Sequence, residues 1–442
     1  MMALMHIAVP AGGHMENMSV GRGTLRLCVL MLSVWLVTAA ARADAVLDWN
    51  SIAVNTAVAN KQNAFAQARY AAIVQLAVFE AVNAITQHYQ PYTSSISAPP
   101  GASAEAAAIE AAYKVLSVYF PVSATQSALL ADRTSSLALI PDSQFKLDGI
   151  ATGDAAALAI IALRANDHSS PAQFKIPGQA VPGEWQATAS CPLVNGIEVG
   201  VAYQWQNITP FGIPNASEFL LGPPPALTSK EYAKAYNEVM AVGGTDSTER
   251  PADRADVALF FAATSPTQVF NQAARQVAEE QGRSLAENAR DLALINMAIS
   301  DSLVASFLNK YHYNFWRPET AIHAGAADGN SKTEADLDYA PFVVTPCFPS
   351  YPSNHGCASN AAAEVMRRLY GQAEHAITLT NPAVPTIVLQ YTSFRQITDD
   401  ISDARVYGGI HFRTDQEAGA RLGRAVGAAV YKNNLHCVHE DD

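Results

Sequence analysis

Apolar residues recur every three or four positions along most of this chain, the spacing that puts one face of a helix against a core. Between 51 and 90 the run "AVNTAVANKQNAFAQARYAAIVQLAVFEAVNAI" repeats that pattern and predicts helix. Ala-rich segments at 103–118, 123–137 and 143–166 predict three more. Helical patterning returns at 229–242, 252–263, 266–310, 357–370, 386–402 and 413–432. No stretch alternates with the period of two that a half-buried strand requires. The expected class is therefore all-α, built from helix bundles.

The pattern fails from 168 to 228, where "PAQFKIPGQAVPGEWQ" and "PFGIPNASEFLLGPPPAL" carry too many prolines for regular structure. An irregular stretch of that length in a compact protein is usually a wall, a lid or a linker. Trp185, Trp205 and Phe211 favour a packed wall. The expected organisation is a leader at 1–43, an N-terminal helical region at 44–167, the irregular segment at 168–228 and a C-terminal helical region at 229–442.

Composition narrows the function. Of 442 residues, 49% are hydrophobic and 15% charged, which argues against a disordered chain. A net charge of -12 gives no general attraction for nucleic acid, so any anion site must be a local basic cluster. Arg22 and Arg26 precede "LCVLMLSVWLVTAA" and then "ARADA", the order of a secretory leader cleaved near Ala43. The alternative is a single membrane anchor, although the run is short for a span, and no other segment reads as apolar enough to cross a bilayer. The expected mature protein is exported, periplasmic or secreted, without stable membrane insertion. Cys28 leaves with the leader; Cys191, Cys347, Cys357 and Cys437 remain and allow three pairings. A Cys347–Cys357 bridge would brace the loop between them.

Three stretches of the C-terminal half carry unusual polar residues. In "KYHYNFWRPETAI", Lys310 and Arg317 are two helical turns apart, which would put both on one face, with Pro318 ending the helix. In "PSYPSNHG", prolines and small polar residues lead through Ser353, Asn354 and His355 into a new helix, whose first N–H groups are free to bind an anion. In "DARVYGGIHFRTDQEAG", Arg405 precedes His411 and Asp415, whose spacing of four fits one helical face. A carboxylate there would fix the imidazole tautomer and leave its other nitrogen as nucleophile or ligand. Singly, each stretch also fits a solvated surface. Together they supply arginines, a lysine, a serine and two histidines suited to a tetrahedral oxyanion.

In order and spacing these stretches resemble the signature of the vanadium-dependent haloperoxidases and type 2 phosphatidic acid phosphatases. That signature reads Lys-x6-Arg-Pro, then Pro-Ser-Gly-His, then Ser-Arg-x5-His-x3-Asp. The resemblance covers roughly 310–415 and implies an all-helical fold of the vanadium haloperoxidase and acid phosphatase type. It further implies that Lys310, Arg317, Ser353, Asn354 (through its backbone amide) and Arg405 hold vanadate or phosphate. His411 would bond to the vanadium, or form a phospho-histidine; His355 would handle protons and Asp415 would orient His411. Phe307 and Phe348 stand where the family lines its halide pocket. Two positions depart from the signature: Asn354 replaces its glycine, and Ala404 its serine, with Ser402 close by.

The resemblance implies a haloperoxidase acting on hydrogen peroxide, a halide and an organic acceptor. Three alternatives stay open: an exported acid phosphatase hydrolysing a phosphate ester, an impaired oxyanion-binding homologue, and a zinc site using His411, Asp415 and the tail "HCVHE". A homodimer is compatible with all of them.

Overall fold

A computed structural model describes residues 44–93, 96–372 and 374–438. The expected leader, with Cys28, lies outside the described residues, as do His439 and Glu440 of the tail. The described helices run α1 (Ala45–Ala59), α2 (Ala64–Thr86), α3 (Ala104–Tyr119), α4 (Ser123–Ala138), α5 (Gln144–Arg164), α6 (Lys230–Gly243), α7 (Ala252–Ala263), α8 (Pro266–Gln281), α9 (Leu285–Tyr313), α10 (Pro318–His323), α11 (Asn354–Tyr370), α12 (Phe394–Tyr407) and α13 (Arg413–Asn433). The described strands form two small antiparallel hairpins, Leu193–Val194 with Ile197–Glu198 and Ile377–Leu379 with Leu389–Tyr391. The fold is all-helical.

Two long helical stretches are each divided. The Asn63 side chain accepts the Ala66 N–H at 2.9 Å and starts α2 afresh after Asn60–Gln62. Gly282 turns left-handed (φ 63°) at the end of α8, and Ser284 with Glu287 forms a reciprocal cap that opens α9. Helix α9 is central, packing against α2, α11 and α13. Helices α2 and α9 are long and apolar enough to cross a membrane by composition, which corrects the expectation that no such segment follows the leader. In the fold both are core: windows of each are 83% and 94% buried.

The irregular segment is a wall, tied down at named points. Asp301, fully buried on α9, accepts the N–H groups of Phe211 (2.6 Å), Gly212 (2.6 Å) and Ile213 (3.0 Å). Arg164 donates to the Pro210 carbonyl at 3.1 Å and pairs with Asp167. A disulfide joins Cys191 to Cys347. Of the pairings the sequence left open, a Cys347–Cys357 bridge does not form, because Cys357 sits buried inside α11 and donates its S–H to the Ser302 carbonyl.

Helices α11 and α13 meet backbone to backbone. A Cβ at Gly419 would lie 2.6 Å from the Ser353 carbonyl oxygen, one at Gly423 2.1 Å from that of Cys357, and one at Gly427 2.5 Å from that of Ala361. Glycine at every fourth position of α13 thus admits α11, and α11 carries His355 on its first turn.

Candidate functional site

The three polar stretches converge, although two of them are built differently from the sequence expectation. Helix α9 stops at Tyr313 with Asn314 left-handed (φ 48°), so Lys310 and Arg317 do not share one helix. Phe315 and Trp316 lie outside any helix, Arg317 is the extended N-cap of α10, and Pro318 opens that helix. Proline suits a first helical position because its missing N–H would have no partner there anyway. His411 likewise precedes α13. Phe412 caps the helix, and its N–H donates to Asp415 Oδ2 at 3.1 Å. The i,i+4 pair therefore meets through a capping turn: His411 Nδ1 lies 2.9 Å from Asp415 Oδ2.

That contact fixes the chemistry of His411. Asp415 accepts the Nδ1 proton, so Nε2 is the bare nitrogen, and Arg317 Nη1 sits 2.9 Å from it. The same Nη1 donates to the Ile410 carbonyl at 2.8 Å, while Nε donates to that of Phe348 at 2.8 Å. Arg317 Nη2 and Arg405 Nε are buried without partners. Lys310 Nζ donates to the carbonyls of Pro349 (2.7 Å) and Ser350 (2.8 Å). All three cations are buried, and Asp415 is the carboxylate that offsets them among the described residues. Two positive charges are left unmatched.

Electrostatics follow from that imbalance. Burial, then repulsion from Arg317, pulls the Lys310 ammonium well below its ordinary range. Burial lowers Arg317 to about 9 and Arg405 to about 10. Burial also depresses His355 and His411, and nearby cations depress them further, so both imidazoles are neutral. Asp415 is raised by burial to about 6, against the pull of Ser350, Lys310 and Arg317. Surplus buried positive charge and orphaned guanidinium hydrogens together suit this region to hold an anion.

Arg405, His355, His411, Asn354 and Phe348 line a cavity of about 180 Å³ with Pro346, Ala64, Phe65, Pro266, Thr267, Ile299 and Leu303. Phe348 packs against both inner cations, its ring 5.0 Å from the Arg317 guanidinium and 5.3 Å from Lys310 Nζ. Phe307 does not join the lining. It is fully buried one layer behind, edge-on to Phe348 at 5.3 Å, so that the Phe348 ring and not Phe307 meets the cavity.

Ser353 is also outside the lining. It is the N-cap of α11, and its Oγ accepts the Gly356 N–H at 3.2 Å while keeping its own hydrogen to donate. Asn354 and His355 occupy the first helical turn, where N–H groups have no intrahelical acceptor. The Asn354 side chain is held by α9: its Oδ1 accepts from Ser306 Oγ at 2.7 Å. Ser402 accepts from Arg413 at 3.2 Å and takes no part in the cavity.

Sequence reasoning missed Ser350, whose Oγ donates to Asp415 Oδ2 at 2.5 Å. It stands three residues before Ser353 in the same proline-bounded loop, the one signal that pointed to it. Among the described residues no group of three or more His, Cys, Asp or Glu is arranged to hold a metal ion, so His411 and Asp415 find no zinc-binding partner there.

Residues 290–440 match the VCPO second helical-bundle domain. A vanadium chloroperoxidase from Curvularia inaequalis is 30% identical over 184 residues, 35% of this chain and 30% of that protein, so the chain spans under a third of that relative's length. The fold is similar to a bacterial vanadium-dependent iodoperoxidase (TM-score 0.73, 22% identity, covering 90% of this chain and 98% of that one). It is also similar to an apo-type bacterial vanadium-dependent chloroperoxidase (TM-score 0.65, 16% identity, 82% and 92% covered).

Proposed function

Because the chain belongs to the vanadium haloperoxidase and type 2 phosphatidic acid phosphatase superfamily, we propose that it is a haloperoxidase using vanadate. One observation carries the reading: surplus buried positive charge surrounds a bare imidazole nitrogen at the end of a largely apolar cavity. Arg317 Nη2 and Arg405 Nε, both orphaned, suit the oxygens of a tetrahedral anion. His411 Nε2 would bond to its central atom, and the first N–H groups of α11 would complete the cradle. Lys310 adds its charge from behind, through Phe348 and the loop carbonyls it holds.

When bound, vanadate supplies a Lewis-acid centre that activates hydrogen peroxide toward a halide. His355 is neutral and lines the cavity, so it can take a proton from entering peroxide and return one to the departing oxygen. Phe348, Phe65 and Leu303 keep bulk water from the reacting atoms and lower the cost of seating a weakly hydrated halide. Asn354 is compatible with turnover, since its side chain is engaged by Ser306.

The same cradle fits phosphate, and an imidazole fixed by a carboxylate is what a phospho-histidine mechanism needs. An acid phosphatase is therefore the second reading, favoured by the His411–Asp415 contact. Export belongs to the proposal too, and the Cys191–Cys347 disulfide supports an oxidising compartment. The deciding experiment incubates purified protein with vanadate, peroxide and each halide, with p-nitrophenyl phosphate hydrolysis measured alongside. Halide oxidation that requires vanadate supports the first reading. Phosphate ester hydrolysis without it supports the second.

A further inference from the structure

Ser350 makes two contacts that no other residue of the loop combines. Its carbonyl oxygen accepts from Lys310 Nζ at 2.8 Å. Its hydroxyl donates to Asp415 Oδ2 at 2.5 Å and lies 3.3 Å from His411 Nδ1. The residue is fully buried, so water does not compete for either bond. Asp415 Oδ2 receives three donors, His411 Nδ1–H, Ser350 Oγ–H and Phe412 N–H, whereas Oδ1 has none.

The crowding of one oxygen has a geometric consequence. A carboxylate held by a single imidazole can pivot about its χ2 torsion and exchange oxygens. Bonds from Phe412 and Ser350, on opposite chain segments, remove that freedom. The plane of the carboxylate is then fixed relative to both α13 and the loop 349–353. His411 can keep its Nδ1–H only toward that oxygen, and its Nε2 stays bare beside Arg317. Ser353, three residues along the same loop, donates its backbone N–H to the Asp415 carbonyl at 3.0 Å, so loop and helix start are bound at two levels.

We propose that Ser350 is a positioning residue: its hydroxyl locks Asp415 and thereby the Nδ1–H tautomer of His411, while its carbonyl ties Lys310 to the same loop. It touches no substrate and acts through His411. The consequence for binding rests on the reading of His411 as the group that bonds to vanadate; the tautomer does not. A tetrahedral anion held by charge alone, such as phosphate, needs the cations but not a bare Nε2. Vanadate needs both. Loss of the Ser350 hydroxyl should therefore weaken vanadate binding more than phosphate binding, so that selectivity between the two anions falls.

The test compares wild type with Ser350→Ala and Ser350→Thr. Histidine ring nitrogens are labelled with ¹⁵N and observed in the protein without anion, and orthovanadate and inorganic phosphate affinities are measured by calorimetry. Wild type and the threonine variant should give a single His411 tautomer protonated at Nδ1. In Ser350→Ala the resonances should report mixed tautomers, and the preference for vanadate over phosphate should fall about tenfold, the usual size of effect for a partner of a ligand. If the alanine variant does not fold, Ser350→Cys, with a weak donor of similar size, takes the same readings and should shift them in the same direction. A pure Nδ1–H tautomer in every variant that lacks the hydroxyl would overturn the inference. A wild type that prefers vanadate no more than phosphate would instead count against the reading of His411, with the tautomer result still deciding the role of Ser350.

Discussion

Replacing Gly423 by alanine isolates the contact that sets the height of α11 on α13. The new Cβ would lie 2.1 Å from the Cys357 carbonyl oxygen, 2.9 Å from its carbon and 3.0 Å from the Ala361 nitrogen. That is more than an ångström short of the 3.4 Å at which ordinary contact begins, and the obstacle is backbone, which cannot rotate away. Two effects oppose each other. Alanine gains about 1 kcal/mol over glycine in a helix interior, whereas forcing extra volume into a packed interface costs about 1–3 kcal/mol or more. The clash wins, and the net loss should be about 1–2 kcal/mol. Spread over a chain of some 400 residues, this lowers the melting temperature by only about 1–2 °C.

The sharper readout is anion affinity. Asp415 on α13 accepts the Ser353 N–H at 3.0 Å, so parting the helices pulls His355 away from His411. Vanadate and phosphate binding should both weaken. Gly222→Ala is the control, because a Cβ there meets nothing within 4 Å. A Gly423→Ala protein as stable as the control, with unchanged anion affinity, would refute the argument.

Other expectations follow from the same geometry. Vanadate or phosphate should raise the melting temperature, because an anion that binds only the folded protein stabilises it by about 2.7 kcal/mol at a hundred times its Kd; differential scanning fluorimetry showing no shift would remove the anion reading. His411→Ala should abolish turnover while circular dichroism shows intact helix content. His355 is depressed below its ordinary 6.5 by burial and then by Arg405, Lys310 and Arg317. A bound anion offsets those cations and raises the pKa, so binding takes up a proton and affinity rises as pH falls through the interval between the two values; calorimetry in buffers of different ionisation heat reads this, and proton release would contradict it. Asn354→Gly deletes the bond to Ser306 and should cost about 0.5–1.5 kcal/mol of stability with little change in anion affinity, measured by denaturation and calorimetry.

Most helices could be read from the sequence because their apolar spacing is what buries them. The breaks could have been read as well: Ser284 and Glu287 form a capping pair three apart, and Gly282 stands before them. A continuous apolar pattern hid them, since periodicity continues in phase across a short turn. Strand Leu389–Tyr391 was read as the start of a helix that begins only at Phe394. Lys310, Arg317, His355, Arg405, His411 and Asp415 were legible through their spacing, and the structure brings them together. Ser350 was not, because a loop serine carries no periodicity and its partner lies 65 residues away. Phe307 lies three residues from Lys310 and both pack against Phe348, but it is Phe348 that lines the cavity, with Phe307 buried behind it. Asp301 shows the same limit. In "AISDSLV" it looks like a polar interruption of a core helix, and only the folded wall supplies its three donors.

The wall also imposes an order of events on a chain made from its N-terminus. Arg164 precedes it, but two of its anchors come later in sequence: Asp301 lies 90 residues after Phe211, and Cys347 lies 156 residues after Cys191. At ordinary rates of synthesis the second interval lasts on the order of ten to thirty seconds. During it Trp205 and Phe211 can already pack on Phe65 and Arg164, but Trp185, buried in the finished fold, has yet to meet Asn314, whose carbonyl accepts its backbone N–H. The nascent segment is therefore a target for chaperones and an aggregation hazard until the loop carrying Cys347 has emerged. Fragments ending before that point should be recovered as insoluble material, while helices α1 to α5 within them are already able to pair.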